Sequence, residues 1–221
     1  IINCAAYTNV DKAESELELA KLINCSAVDL LSKWTYKNNS KLIHISTDYV
    51  FDGNSSTPLD EDAKTSPINI YGKTKLQGEK ICLINDDNCV IIRTSWVYSS
   101  FGKNFVKTMC KLMNEKNSLH IINDQIGSPT YAKDLAEAII TIINYKYWIP
   151  GLYHYSNEGE VSWFDFAKSI KKHFRYNTVL KPISTIEYPT PAKRPSYSLL
   201  DKSKIKTTFN IDIPNYKSSL E

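Results

Sequence analysis

Tyr71 and Lys75 stand four residues apart in Pro67-Ile68-Asn69-Ile70-Tyr71-Gly72-Lys73-Thr74-Lys75. If Pro67 occupies the first turn of a helix, where its missing N–H costs nothing, the two side chains share one face. A phenol has a reference pKa of about 10, and an ammonium group beside it lowers that value. A Tyr-x-x-x-Lys face is therefore a proton donor suited to a carbonyl under reduction. Spacing alone proves nothing. With 14 tyrosines and 24 lysines (27 Lys+Arg less Arg93, Arg175 and Arg194), chance gives 14 × 24/221, about 1.5 such pairs, and only this one occurs. Its weight comes from its company: Ile43-His44-Ile45-Ser46-Thr47-Asp48-Tyr49-Val50-Phe51-Asp52-Gly53 upstream and Arg93-Thr94-Ser95-Trp96-Val97-Tyr98 downstream.

The elements needed to hold these residues alternate along the chain. Ile1 to Ala6, Lys41 to Ser46, Cys89 to Thr94 and Leu119 to Ile122 are short apolar runs that predict buried parallel strands. Asp11 to Asn38 predicts an amphipathic helix, with Ala13, Leu17, Ala20, Ile23, Ala27, Leu30 and Trp34 as its apolar stripe. Further helices are expected over 66–84, 105–113 and 131–147. Such alternation implies an α/β sheet with ligands at the carboxyl ends of its strands. Ala5 to Thr8, Ser46 to Asp48 and Thr94 to Trp96 all fall just past strand ends, so three segments deliver small or polar groups to one rim. After Pro150-Gly151 the texture changes. Residues 1–150 are expected to form the main domain and 151–221 a smaller lobe, with strands over 151–156 and 179–183 and a helix over 163–174.

A chain of 221 residues with 42% hydrophobic and 23% charged residues is an ordinary globular chain, and a net charge of +3 selects no partner. No block of like charge marks a nucleic-acid partner, and the longest aliphatic run, Ala138 to Ile143, is too short to span a membrane. Five cysteines without Cys-x-x-Cys and four scattered histidines point to buried reduced thiols, no metal site and a cytoplasmic protein.

The motifs together resemble the extended branch of the short-chain dehydrogenase/reductase superfamily, and within it the dTDP-4-dehydrorhamnose reductases. The resemblance rests on Asn3 to Asp11, Ser46 to Gly53, Tyr71 to Glu79, Arg93 to Tyr98, Asp124 to Thr130 and Arg194-Pro195-Ser196. It implies a Rossmann-type doubly wound parallel sheet with a smaller C-terminal substrate lobe, NADPH as cofactor (NADH being the alternative) and a dTDP-sugar substrate, with a homodimer left open. By the resemblance, Tyr71 donates the proton to the 4-keto oxygen, Lys75 holds the nicotinamide ribose and depresses the Tyr71 pKa, and Thr47 hydrogen-bonds the ketone. Ala5, Ala6 and Tyr7 would line the cofactor; Thr8, Val10 and Trp96 the sugar; Lys193 and Arg194 the diphosphate. Asp48 has two readings, a functional carboxylate or an Asx-turn leaving the strand.

One departure stands out. The first strand of the fold and its glycine-rich phosphate turn have no counterpart among only seven glycines, so the first strands of the sheet are expected to be missing. The chain then reads as an N-terminally truncated fragment lacking about 60 residues, inactive alone. Two rival readings remain at this stage. One is a non-catalytic regulatory subunit on the same scaffold, like that of methionine adenosyltransferase; the other is a sister nucleotide-sugar epimerase or reductase.

Overall fold

A computed structural model of the chain describes residues 1–220. Its centre is a four-stranded parallel sheet in the order β1 (Ile2–Asn3), β2 (Ile43–Thr47), β3 (Val90–Thr94), β8 (Gly151–His154). β2 and β3 are buried almost throughout, as expected of strands covered on both faces. Between β1 and β2 run α1 (Val10–Ala13), α2 (Leu17–Lys21), a π-turn over Leu22–Ser26 and α3 (Ala27–Lys37). Helix α4 (Ile70–Asn85) connects β2 to β3. Beyond β3 lie β4 (Val97–Tyr98), α5 (Phe105–Glu115), β5 (Ser118–Ile122), β6 (Ile126–Gly127), β7 (Thr130–Tyr131) and α6 (Ala132–Asn144). After β8 come β9 (Val161–Ser162), α7 (Trp163–His173), β10 (Val179–Ile183), α8 (Ser203–Phe209) and α9 (Tyr216–Leu220).

Three elements differ from expectation for identifiable reasons. The single helix expected over 11–38 is interrupted at Glu14 to Glu16 and bulges at the π-turn, where Asn24 sends its side chain back to the Tyr7 backbone. Its expected apolar stripe is also rotated. Leu30 and Trp34 are exposed, while Ser32 and Thr35 are buried and hydrogen-bonded to Val28 O and Asp86 Oδ2, a polar seam against the end of α4. Pro67 lies before α4 rather than in its first turn; Asn69 is the cap, its Oδ1 accepting from Gly72 N at 2.8 Å.

The expected division at residue 150 falls across strand pairings. β8 adds to the main sheet beside β3, and β10 pairs in parallel with β5 over five residues. β5 therefore lies outside the central sheet. One apolar cluster joins β2, β3 and β8 to α6 and α8, and a second joins α5, β5 and α7. Among the described residues all five cysteines are free, but Cys4 is exposed rather than buried. No helix of the structure is long and apolar enough to cross a membrane, and no group of three candidate ligands gathers around a metal position among the described residues.

Candidate active site

Strand β1 ends at Asn3, level with His44, and β2 runs on three residues to Thr47, so Cys4 to Tyr7 leave the sheet alongside the end of β2 and Thr47-Asp48 follow it. Helix α4 begins against this rim. A Cβ added to Gly72 would lie 2.1 Å from Tyr49 O, so only a glycine lets the first turn of α4 approach the chain that leaves β2. This contact brings Tyr71 onto Tyr49 edge to face, with ring centroids 5.6 Å apart, and puts its phenol against the Thr47 hydroxyl. Burial pushes the Tyr71 pKa up to about 12; the Thr47 hydrogen bond pulls it back in part, and the Asp48 charge adds to the rise.

Lys75 sits one turn further along α4 and is 1% exposed. Its Nζ donates to Ile45 O at 2.6 Å, and burial draws its pKa down to about 8 against the pull of Glu79 and Cys4. The expected depression of Tyr71 by Lys75 is therefore corrected: the ammonium is directed into β2, and burial sets the phenol instead. Behind Lys75, Asn3 Oδ1 accepts from Ala5 N, which turns Asn3 Nδ2 toward His44 Nδ1 at 3.1 Å. That places the proton of neutral His44 on Nε2, 3.5 Å from Lys75 Nζ. Burial holds His44 near 3, so the ring stays uncharged beside the lysine.

Ala5 is exposed and Ala6 half-buried past β1, while Tyr7 is fastened on three sides. Its N–H donates to Asn24 Oδ1 at 2.8 Å, its carbonyl accepts from Asn24 Nδ2, and its hydroxyl donates to Glu16. Asn24 Nδ2 also meets Thr74 Oγ1 at 3.1 Å, so one buried amide ties the loop after β1 to α4 between Tyr71 and Lys75. Nothing in the local sequence marks Asn24 for this task. Its partners lie 17 and 50 residues away.

The remaining expected residues divide. Thr8 is exposed and Val10 half-buried at the start of α1. Arg194 forks onto Asp11, Nη2 to Oδ2 at 2.8 Å, and also meets Thr190 and Ala192; Lys193 gives its carbonyl to Asn69 Nδ2. A cleft of about 560 Å³ is lined by Asp11, Arg194, Gln125, Tyr188, His120 and Trp163. Trp96 stands behind this cleft, stacked on Trp163 at 3.6 Å, with a left-handed backbone (φ 48°) that a bulky residue adopts only when its surroundings hold it there. Trp163, which the sequence did not single out, is the indole that reaches the cleft. A larger cleft of about 730 Å³, with Tyr98, Lys107, Asp134 and Glu137 in its wall, contains none of Thr47, Tyr71 or Lys75.

The RmlD substrate binding domain family matches residues 1–221. The chain belongs to that family. The dTDP-4-dehydrorhamnose reductase of Salmonella typhimurium is 43% identical to it over 98% of this chain and 76% of its own length. The spore coat polysaccharide biosynthesis protein SpsK of Bacillus subtilis is 43% identical over 93% of this chain and 72% of its own length. Among solved structures, the dTDP-4-dehydrorhamnose reductase of Bacillus anthracis in complex with NADP superposes with a TM-score of 0.96 at 40% identity, covering all of this chain and 78% of that one. The family match agrees with the Rossmann-type α/β architecture described above.

Proposed function

We propose that this RmlD-family protein is an oxidoreductase that reduces the 4-keto group of dTDP-4-dehydro-L-rhamnose to give dTDP-L-rhamnose, with NADPH as cofactor. The observation that carries the reading is the placement of Tyr71 at the start of α4, against Tyr49 and beside Thr47 at the carboxyl end of β2, with Lys75 one turn behind. Tyr71 supplies the proton to the 4-keto oxygen, and Thr47 offers that oxygen a hydrogen bond as charge develops on it.

The donor set suits a nicotinamide nucleotide. A charged Lys75 has three N–H donors, of which Ile45 O takes one and His44, itself a donor at Nε2, takes none. The others are free for a ribose diol, and the small side chains of Ala5 and Ala6 leave room for a flat ring beside them. NADPH, when bound, supplies the hydride. Arg194 lines the cleft of about 560 Å³ and faces the diphosphate from there, shared with Asp11. The Trp96–Trp163 stack forms the wall against the sugar. Five unpaired cysteines suit a cytoplasmic enzyme.

The test is NADPH oxidation with dTDP-4-dehydro-L-rhamnose by the protein purified with whatever its gene encodes around this sequence, the product being identified by chromatography. Turnover with NADPH exceeding that with NADH is expected. Absence of dTDP-L-rhamnose with either cofactor would refute the reading. In parallel, indole fluorescence should respond to dTDP-L-rhamnose. Loss of that response in Trp96→Phe assigns it to Trp96, whereas its persistence moves the sugar contact to Trp163.

A further inference from the structure

Thr47 has a single hydroxyl proton, and the structure shows it already engaged. Its Oγ1 donates to Asp48 Oδ1 at 3.1 Å while accepting from Tyr49 N at 3.2 Å, and the Tyr71 phenol lies against it. A hydroxyl carries one proton, so a Thr47 that donates to Asp48 cannot also donate to a substrate carbonyl. The other carboxylate oxygen, Asp48 Oδ2, accepts from Ser198 Oγ at 2.6 Å. Ser198 sits on the C-terminal segment, which pairs with Ile126 through Ser198 N to Ile126 O at 2.9 Å. Asp48 is 2% exposed.

We propose that Asp48 is a positioning residue that sets the direction of the Thr47 hydroxyl. Ionised, it draws the Thr47 proton inward. Protonated from solvent, its own O–H donates to Thr47 Oγ1, and the Thr47 proton turns outward to the substrate carbonyl. This rests on the reading above that a carbonyl docks between Thr47 and Tyr71.

The surroundings suit such a device. No cation forms an ion pair with Asp48 among the described residues; desolvation raises its pKa to about 6 against hydrogen bonds from Ser198, Thr47 and the local backbone. The titratable neighbours are Tyr49 on the same turn and Tyr71 on α4, both pushed up by burial, with the Arg194–Asp11 pair acting on Tyr49 from the C-terminal segment and α1. His44 and His154 are held near 3 by burial and do not titrate in the same range.

The test follows two nuclei in the ligand-free protein: the aspartate side-chain carboxyl ¹³C and the threonine methyl ¹³C. Asp48→Asn and Thr47→Ser assign the signals. Both are expected to titrate with one common midpoint near 6. Ser198→Ala removes a hydrogen bond that favours the carboxylate, so it should move both midpoints upward together. A Thr47 methyl that stays flat through the Asp48 midpoint overturns the proposal, as does a Ser198→Ala variant that moves one midpoint only. In turnover, wild-type kcat should fall by about tenfold per pH unit above the midpoint, whereas Asp48→Asn, whose amide N–H replaces the acid proton, should stay level. A wild type that fails to turn over removes the functional reading alone, because the two midpoints are read without substrate.

Discussion

Lys75 and Glu79 lie one turn apart on the same face of α4, both buried, and their surroundings could hardly differ more. Glu79 is matched on every side. Arg93 Nε and Nη2 reach it at 2.8–3.3 Å, Ser46 Oγ donates to it, and Arg93 in turn lies over the Phe51 ring and reaches His154 Nε2 at 3.4 Å. Lys75 has one carbonyl and an uncharged imidazole beside it, and Asp48 nearby has hydroxyls and backbone N–H groups but no cation among the described residues. The first cluster ties β2, α4, β3 and β8 together, while the second holds its groups away from their ordinary protonation ranges. Buried charge with full partners is architecture; buried charge with too few is available for chemistry.

The largest test of this contrast is Tyr71→Phe. It deletes the proposed proton donor and little volume, so turnover should fall by about 10²–10⁴-fold while the urea midpoint barely moves. Steady-state NADPH oxidation and denaturation measured on one preparation check both halves.

Arg93→Met should show the reverse pattern. It leaves Glu79 buried without its cation and should cost about 3–5 kcal/mol in urea denaturation. Adding Glu79→Leu should recover most of that loss, because a well-packed apolar pair replaces a buried ionic one at little cost. A double variant no better than the single one would mean that Glu79 answers to something other than Arg93.

The third test is pH. Burial holds His154 and His44 near 3, whereas an unfolded histidine takes up its proton at about 6.5. The unfolded state binds the extra protons, so stability is lost as pH falls below that value, by about 2 kcal/mol per histidine between about pH 7 and about pH 5. Asp48, whose folded pKa is raised, offsets part of this because it sheds a costly charge in the same window. His154→Gln should shrink the difference between urea midpoints at the two pH values, whatever it does to either one.

The smallest effect belongs to an exposed pair. Lys111 and Glu115 face each other at 3.9 Å with most of their side chains in water. Lys111→Ala should change stability by less than about 0.5 kcal/mol in the same denaturation assay. A larger loss would show that pairing alone, without burial, governs charge in this fold.

Where the apolar pattern had one interpretation, the sequence was sufficient. Val90 to Thr94 lies close to its expected place and α7 runs almost as expected, because the β-branched run Val90-Ile91-Ile92 and a capped apolar stripe leave little choice. The helix expected over 11–38 shows the limit: a stripe from Ala13 to Trp34 predicted the buried face, yet Ser32 and Thr35 are buried through partners at the end of another helix. The site divides in the same way. Tyr71, Lys75 and Thr47 could be singled out because a strand end and the motifs around the Tyr-x-x-x-Lys spacing are local facts. Asn24, His44 and Ser198 were not, since each matters only through an atom brought to it by the fold, from 17 to 150 residues away.

The sequence by itself determined the alternation of strands and helices and the rim where they end, which follow from periods of two and 3.6 residues. Only the tertiary structure decided the surroundings of Tyr71 and its neighbours, and with them the direction in which each pKa moves. A pKa depends on how completely water is excluded and on which charges lie within a few ångströms, and neither quantity exists until distant segments have packed together.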